Sequence, residues 1–289
     1  MTVQELLPIG LAFIMFAVGL SLRIQDFQDV VLYPRAFFTG LLNQIIILPA
    51  LGFLIIYFYD GSPEFALGIM ILAACPGGIT SNLLSVLAGG NVALSVSMTA
   101  VTSLASIITI PTILSLSYMF IYGDAAHIDM PIGRIMAGVF IITAIPIALG
   151  MLMKNKLPKI IIFVHPYIRT LATVIFALII AGAFIANKDN IAQYFWDVGH
   201  YLIALNLLTM SVGYISSRFL KRPRADSITI CLESGLQNVA LAIFVAVNIL
   251  GKPELMIPAI IYAVIMNFSA AFVIFLMRRT VPKSAIPSS

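Results

Sequence analysis

Ile230-Cys231-Leu232-Glu233-Ser234-Gly235-Leu236-Gln237-Asn238 sets a carboxylate, two amides and a glycine inside an apolar run lasting from about Ser227 to Leu250. An ionised carboxylate at bilayer depth costs about 2.5 kcal/mol or more, so it belongs against the protein interior or a wet cavity, with a cation or a proton close by. Every other acidic residue can be moved to a membrane surface by some placement of the spans; Glu233 cannot. The expectation is that Glu233 is a cation ligand in a transporter.

Composition supports that setting. The 289 residues are 61% hydrophobic and 10% charged, and the mean hydropathy is +1.07. A soluble globular domain carries roughly 25% charged residues, so a polytopic helical membrane protein forming one membrane domain is expected. The net charge of +4 mostly reports where the loops sit and gives no ground for a nucleic-acid partner. Cys75 and Cys231 both lie in apolar runs, where small buried thiols are commoner than redox or metal roles. Before the first apolar run, Met1-Thr2-Val3-Gln4-Glu5 carries no basic residue, and no small-residue cleavage pattern follows it, so a retained first span is expected.

About 20 mainly apolar residues are needed for each spanning helix. On that measure the sequence predicts nine spans, at roughly 6–22, 36–58, 64–88, 92–121, 132–153, 170–187, 198–217, 227–250 and 255–277. The runs are too long, and too little alternating, for a barrel. With the N-terminus outside, the inner side receives Arg23, Arg35, Lys154, Lys156, Lys159, Arg169, Arg218, Lys221, Arg222, Arg224, Arg278, Arg279 and Lys283, leaving Arg134, Lys188 and Lys252 outside. That asymmetry predicts an external N-terminus and a cytoplasmic C-terminus. Residues 281–289 read as a disordered tail.

Two spans look broken. The third contains Cys75-Pro76-Gly77-Gly78, where a proline removes a backbone donor and glycines tolerate unusual dihedrals, and it ends at Gly89-Gly90-Asn91. The eighth has Gly235 amid polar residues. Cys75 precedes Asn82 by seven positions, as Cys231 precedes Asn238. The two segments enter from opposite sides, which is the weak internal symmetry of an inverted-repeat transporter whose discontinuous helices form a midplane site. On that pattern residues 6–121 match 198–277, and a ten-span ancestor that lost its first helix would leave the fifth span unmatched.

On a continuous helix Glu233 and Gln237 share a face, and the glycine between them could free nearby carbonyls. Carboxylate, carbonyl and amide oxygens are hard ligands suited to a small alkali cation; no His or Cys cluster has transition-metal spacing. The competing structural role is a protonated Glu233 hydrogen-bonded to neighbouring helices. Ser95, Thr99, Thr102, Ser103, Ser106 and Thr109 follow helical spacing on the fourth span, where such hydroxyls often bond their own helix. Ser95 and Thr99 lie near Ser81-Asn82 in sequence, which makes them the better candidates. Gln44, five residues before Pro49, is another amide at depth.

Cys75-Pro76-Gly77-Gly78-Ile79-Thr80-Ser81-Asn82, followed by Gly90-Asn91-Val92-Ala93-Leu94-Ser95-Val96-Ser97-Met98-Thr99, resembles the signature of the bile acid:sodium symporter family. Glu233-Ser234-Gly235-Leu236-Gln237-Asn238 resembles its second motif. Phe16-Ala17-Val18-Gly19-Leu20-Ser21-Leu22 is similar to the second helix of ten-helix members, in agreement with nine spans. The resemblance implies a panel domain (first, fifth and sixth spans) and a core domain (about 36–121 and 198–277) with two crossing discontinuous helices. It also implies two sodium sites. One uses Ser81, Asn82, Ser95, Thr99 and Glu233; the other uses Gln44, Glu233, Gln237 and the backbone carbonyls of Ser234 and Leu236. Asn238 and Asn267 match positions facing the substrate cavity. Met266 stands where some bacterial relatives carry a more polar residue, so the resemblance implies an organic anion, bile acid-like or a small carboxylate such as pantoate or a keto acid, and singles out none.

The expected function is therefore sodium-coupled symport of an organic anion by alternating access. The chain would sit in the plasma membrane, the inner one in a bacterial cell, among lipids and with no obligate protein partner evident. Proton-coupled transport or export through Glu233 is the alternative. An intramembrane enzyme is remote: Glu233 has no second carboxylate, and His127, His165 and His200 fall in or beside loops. A membrane sensor is equally remote, because no soluble output domain fits in the chain.

Overall fold

The computed structural model describes residues 3–23, 34–123 and 130–279. Among them every regular element is helical. We label these α1 (Val3–Ser21), α2 (Pro34–Tyr57), α3 (Pro63–Ala74), α4 (Ile79–Ala88), α5 (Val92–Tyr122) and α6 (Ile132–Lys156). They continue as α7 (Pro158–Ala186), α8 (Lys188–Phe219), α9 (Arg224–Gly235), α10 (Val239–Ile249) and α11 (Ile257–Arg279).

Among the described residues six stretches are long and apolar enough to cross a membrane: α2, α5, α6, α7, α8, and Pro253–Arg278 around α11. Leu6–Ser21, Pro63–Ala74 and Val239–Ile249 are shorter apolar helices. The two shortened pieces after α2 and the two after α8 are the segments that the sequence marks as broken spans.

Local chemistry places the ends. Ser62 accepts the Phe65 N–H at 3.2 Å and Pro63 opens α3, a serine cap with proline at the first position. At the end of α4, Gly89 takes a left-handed conformation (φ 75°). The N–H of Gly90 then returns to the Ser85 carbonyl at 2.8 Å, a glycine-closed terminus. Asn91 follows at once and caps α5 by accepting from Leu94. Gly89-Gly90-Asn91 is thus one helix stop joined to one helix start.

α7 and α8 begin well before the positions expected from hydropathy, at Pro158 rather than about 170 and at Lys188 rather than about 198. Hydropathy follows the apolar stretch, whereas backbone hydrogen bonding continues past it. Pro166 sits inside α7, and its carbonyl accepts the Thr170 hydroxyl at 2.9 Å. Asp189 in the first turn of α8 complements the helix N-terminus.

α1 packs against α6 and α7, while α9 packs against α8, α5 and α4. The α1–α6 approach is close: a Cβ on Gly19 would strike the Ile147 backbone, and one on Gly150 would strike that of Phe16 and Leu20. Small residues let helices meet backbone to backbone where apolar burial gives little preference over lipid. Two continuous stretches are buried throughout, Phe65–Gly78 and Asp226–Ala246, and they converge at the centre. The expected tail at 281–289 and His127 lie outside the described residues.

Candidate functional site

The centre is a crossing of two helix breaks. α3 stops at Ala74 and Cys75 is extended (ψ 148°); the next residue, Pro76, has no N–H to give a helix. Beyond α9, Leu236 is extended (φ −105°, ψ 103°). The two segments pair antiparallel, Gly77 opposite Gln237, and the Asn238 N–H donates to the Pro76 carbonyl at 2.8 Å. Backbone groups freed by one break are therefore satisfied by the other, as buried peptide groups require.

This geometry corrects two local expectations and shows where one carbonyl at the break goes. Gln237 does not share a helix face with Glu233, because α9 ends between them at Gly235. The Gly235 carbonyl is not left open: Asn206 Nδ2 and the Tyr262 hydroxyl both donate to it at 2.9 Å. The seven-residue spacings do not mark equivalent places, since Cys75 caps the end of α3 while Cys231 lies within α9.

Glu233 is 2% exposed and sits half a turn before the end of α9. Its carboxylate rests against the backbone of Gly77, where any Cβ would collide with Oε2. Ser95 and Thr99, one turn apart on α5, reach it from the other side. The Ser95 hydroxyl contacts Glu233 Oε1 and lies 2.7 Å from Asn82 Oδ1. Thr99 Oγ1 lies 3.2 Å from Glu233 Oε2 and 3.4 Å from Asn82 Oδ1. Each hydroxyl owns one proton, yet each faces both a carboxylate and an amide oxygen. The result is a largely buried group of oxygens in which the hydroxyls bring fewer protons than there are acceptors facing them.

Ser81, also buried, turns its hydroxyl back to the Gly78 carbonyl at 2.7 Å, which fixes the start of α4 beneath Asn82. Two other hydroxyls of the α5 stripe behave differently: Thr102 bonds the Met98 carbonyl and Ser106 the Ser103 carbonyl, each within its own helix.

A second group lies across the crossing. α2 contains a π turn, Asn43–Ile47, in which the Leu48 N–H reaches back five residues to the Asn43 carbonyl. There Gln44 donates to Gln237 Oε1 at 2.8 Å and to the Cys75 carbonyl at 3.2 Å, and Gln237 donates to the Ser234 carbonyl at 2.9 Å. Gln44 Oε1 is buried without a hydrogen-bond partner. Leu236 is fully buried and lends backbone rather than side-chain chemistry.

Asn238 caps α10 by accepting the Leu241 N–H at 3.1 Å, and its Nδ2 is buried without a partner. Asn267 is placed apart: it is exposed on α11 and donates to the Ala263 carbonyl at 2.6 Å. Asn206 and Tyr262, which hold the end of α9, escaped the sequence reading. Their signal was the one that exposed Gln44, a lone polar group in an apolar run. Asp226 and Thr229 form another anchor; they bond the side chain and backbone N–H of Asn91 at 2.9 and 2.8 Å and tie the α4–α5 turn to α9.

A cavity of about 960 Å³ opens among residues 59–65, 187–200 and 253–257. Asp60, Glu64, Asp197 and Glu254 line it, with Tyr59, Tyr194 and Trp196. Burial pushes the Tyr59 phenol up to about 12, aided by the nearby Asp197 and Asp60 charges. The wholly buried run of α3 separates this cavity from the crossing.

Long apolar helices enclosing a buried oxygen site at a helix crossing define an integral membrane protein built to handle ions or small solutes. A family model described as the Sodium Bile acid symporter family matches residues 8–194, and the chain belongs to that family, whose activity is transport and not enzymatic catalysis. That match ends before Glu233, which lies within more extended similarities. Over 276 residues the chain is 28% identical to a probable chloroplastic sodium/metabolite cotransporter, BASS1, of Arabidopsis thaliana, covering 95% of this chain and 67% of that protein. It is 25% identical to the uncharacterized sodium-dependent transporter YocS of Bacillus subtilis, covering 93% and 82%. With the human ileal sodium/bile acid cotransporter it shares 29% identity, covering 82% and 68%. The chain spans 62% and 65% of the lengths of two further plant relatives, from rice.

Proposed function

We propose that the protein is a sodium-coupled symporter of an organic anion working by alternating access. The observation that carries this is the acceptor-rich group formed by Glu233, Ser95, Thr99 and Asn82, with Ser81 fixing the turn beneath it. Oxygen ligands around one full negative charge suit a desolvated alkali cation, and the names of the relatives point to sodium. A second sodium would lie near Gln44, Gln237 and the carbonyls of Ser234 and Leu236, beside Glu233. The unpartnered Gln44 Oε1 supports this, because it is a buried acceptor that a cation would satisfy.

Coupling follows from where the ligands sit. Asn82 and Ser81 belong to α4, Ser95 and Thr99 to α5, and Glu233 to α9, so a cation held among them ties three elements across the two breaks. Its binding free energy would be spent on ordering the crossing, and an anion that needs the ordered crossing would bind more tightly by the same coupling. The buried Nδ2 of Asn238 supplies a donor for that anion, and Asn267 is the second proposed contact. Any small carboxylate or bile acid-like anion is consistent with amide donors.

In this proposal the chain crosses the membrane nine times with its C-terminus cytoplasmic. Leu6–Ser21, the α3–α4 pair and the α9–α10 pair supply the crossings beyond the six long helices. The α1–α6–α7 group acts as the panel and moves against the rest, an arrangement supported by their mutual packing. The acidic cavity is the outer vestibule, where its carboxylates gather cations.

Uptake into proteoliposomes with sodium replaced by choline at fixed pH tests the coupling ion. Anion uptake is expected to collapse in choline; undiminished uptake that follows an imposed pH gradient would replace sodium with a proton.

A further inference from the structure

Where α9 ends, one carbonyl is held from outside the crossing, by Asn206 of α8 and Tyr262 of α11. We propose that these two side chains are positioning residues of the second cation site: they touch no ion, but they aim the Leu236 carbonyl at it. This rests on sodium occupying that site, as proposed above.

The protons around Gly235 are all assigned. Of the two amide protons of Asn206, one goes to the Gly235 carbonyl and the other to the Tyr262 oxygen at 3.0 Å, whose own proton returns to the same carbonyl. Both lone pairs of that carbonyl are therefore taken, and both donor side chains are wholly buried. The Gly235 carbonyl is fixed toward α8 and α11 and is closed to a cation.

That direction decides the next one. The relative direction of two successive carbonyls is set by the φ and ψ of the second residue; helical values leave them parallel, and extended values turn them to opposite sides. Leu236 is extended (φ −105°, ψ 103°), so its carbonyl faces away from α8 and α11 and into the crossing. An extended segment presents the N–H two residues on at the same side, and the Asn238 N–H does meet the Pro76 carbonyl there at 2.8 Å. The crossing also holds Gln44, whose Oε1 is buried without a hydrogen-bond partner.

Packing fixes where α9 ends, and the hydrogen bonds fix how its last peptide is turned. A Cβ on Gly235 would strike Met210 of α8, and one on Gly213 of α8 would lie 2.8 Å from Ser234 Oγ and 3.0 Å from the Ile230 carbonyl. The last turn of α9 is thus pressed against α8. The first break uses a similar device: Gln44 of α2 donates to the Cys75 carbonyl at 3.2 Å. In each case an amide from the helix preceding the broken pair holds a carbonyl at the break.

The test is the melting temperature in detergent as sodium replaces choline at constant ionic strength. For ions bound by the folded protein alone, the slope of melting temperature against the logarithm of sodium concentration, at high sodium, reports how many ions are bound. The double variant Asn206→Leu with Tyr262→Phe leaves the Gly235 carbonyl without these donors, and its slope should fall to about half that of the wild type. Tyr262→Phe alone keeps one donor and should need roughly three-fold more sodium for the same rise; it serves where the double variant does not fold. Leu114→Ala is buried in α5, roughly 22 Å along the helix from Thr99, and should melt lower at every sodium concentration with the wild-type slope. Asn206 and Tyr262 variants that melt lower yet keep the wild-type slope and sodium requirement would overturn this proposal and leave the sodium reading standing. A wild type that does not respond to sodium would overturn both.

Discussion

The two breaks at the centre look alike in shape and differ in cause. Cys75-Pro76-Gly77-Gly78 is broken by its own covalent chemistry: proline has no N–H and the glycines have no Cβ. Leu236-Gln237-Asn238 contains nothing that forbids a helix, since leucine and glutamine are good helix formers. There the helix stops because Asn206 and Tyr262 take the Gly235 carbonyl, Asn238 caps α10, and the Asn238 N–H is given to Pro76. The surroundings differ in the same sense. α10 is buried nearly throughout, while α4 exposes Leu83, Val86 and Leu87. Both breaks are themselves buried; the first carries its cause in its own covalent chemistry, whereas the second depends on its partners.

That contrast can be broken or sharpened by substitution. Glu233→Gln keeps the shape of the crossing and removes its charge, so sodium affinity should fall by about 100-fold, corresponding to about 3 kcal/mol for one lost partner of a buried ionic contact. Sodium titration of anion binding measures it, and wild-type affinity would sink the ligand assignment. Next is Gly77→Ala. The added methyl meets the Glu233 carboxylate, and overpacking of this kind costs about 1–3 kcal/mol. Uptake should drop by roughly ten-fold or more through a higher sodium requirement.

Asn206→Leu comes third. It strips one of two donors from the Gly235 carbonyl and should destabilise by about 2 kcal/mol, read as a lower melting temperature. Tyr262→Phe leaves Asn206 in place and should cost about 1 kcal/mol. If these two variants melted like the wild type, the second break would be locally coded after all. The smallest effect is expected at Gly78→Ala, where the nearest atom to a new Cβ is 3.7 Å away and ordinary contact results. Near-normal uptake there, beside the loss at Gly77, would show that the carboxylate's seat makes the first glycine necessary.

Much of this was legible in the sequence because membrane burial simplifies the code. A lone carboxylate in an apolar run stands out, and so do a Pro-Gly-Gly interruption and a Gly-Gly-Asn turn. The lengths of α7 and α8 were less legible, since hydropathy reports where apolar side chains stop and not where backbone hydrogen bonds do. The grouping of Ser95 and Thr99 apart from Thr102 and Ser106 was only half visible. All four share a stripe, and which ones meet Glu233 depends on where α9 crosses α5.

By itself the sequence determined that the chain is helical and membrane-embedded, marked Cys75-Pro76-Gly77-Gly78 as a place where a helix can break, and set Glu233 against the protein interior with a cation or a proton beside it. These follow from local rules: hydropathy, a missing N–H, and the desolvation of a carboxylate. Only the tertiary structure decided that Glu233 sits against Gly77 and faces Ser95, that Gln237 leaves the helix, and that Asn206 and Tyr262 hold the end of α9. Each of these depends on a partner more than twenty residues away in the chain, and no local property of either residue specifies the other.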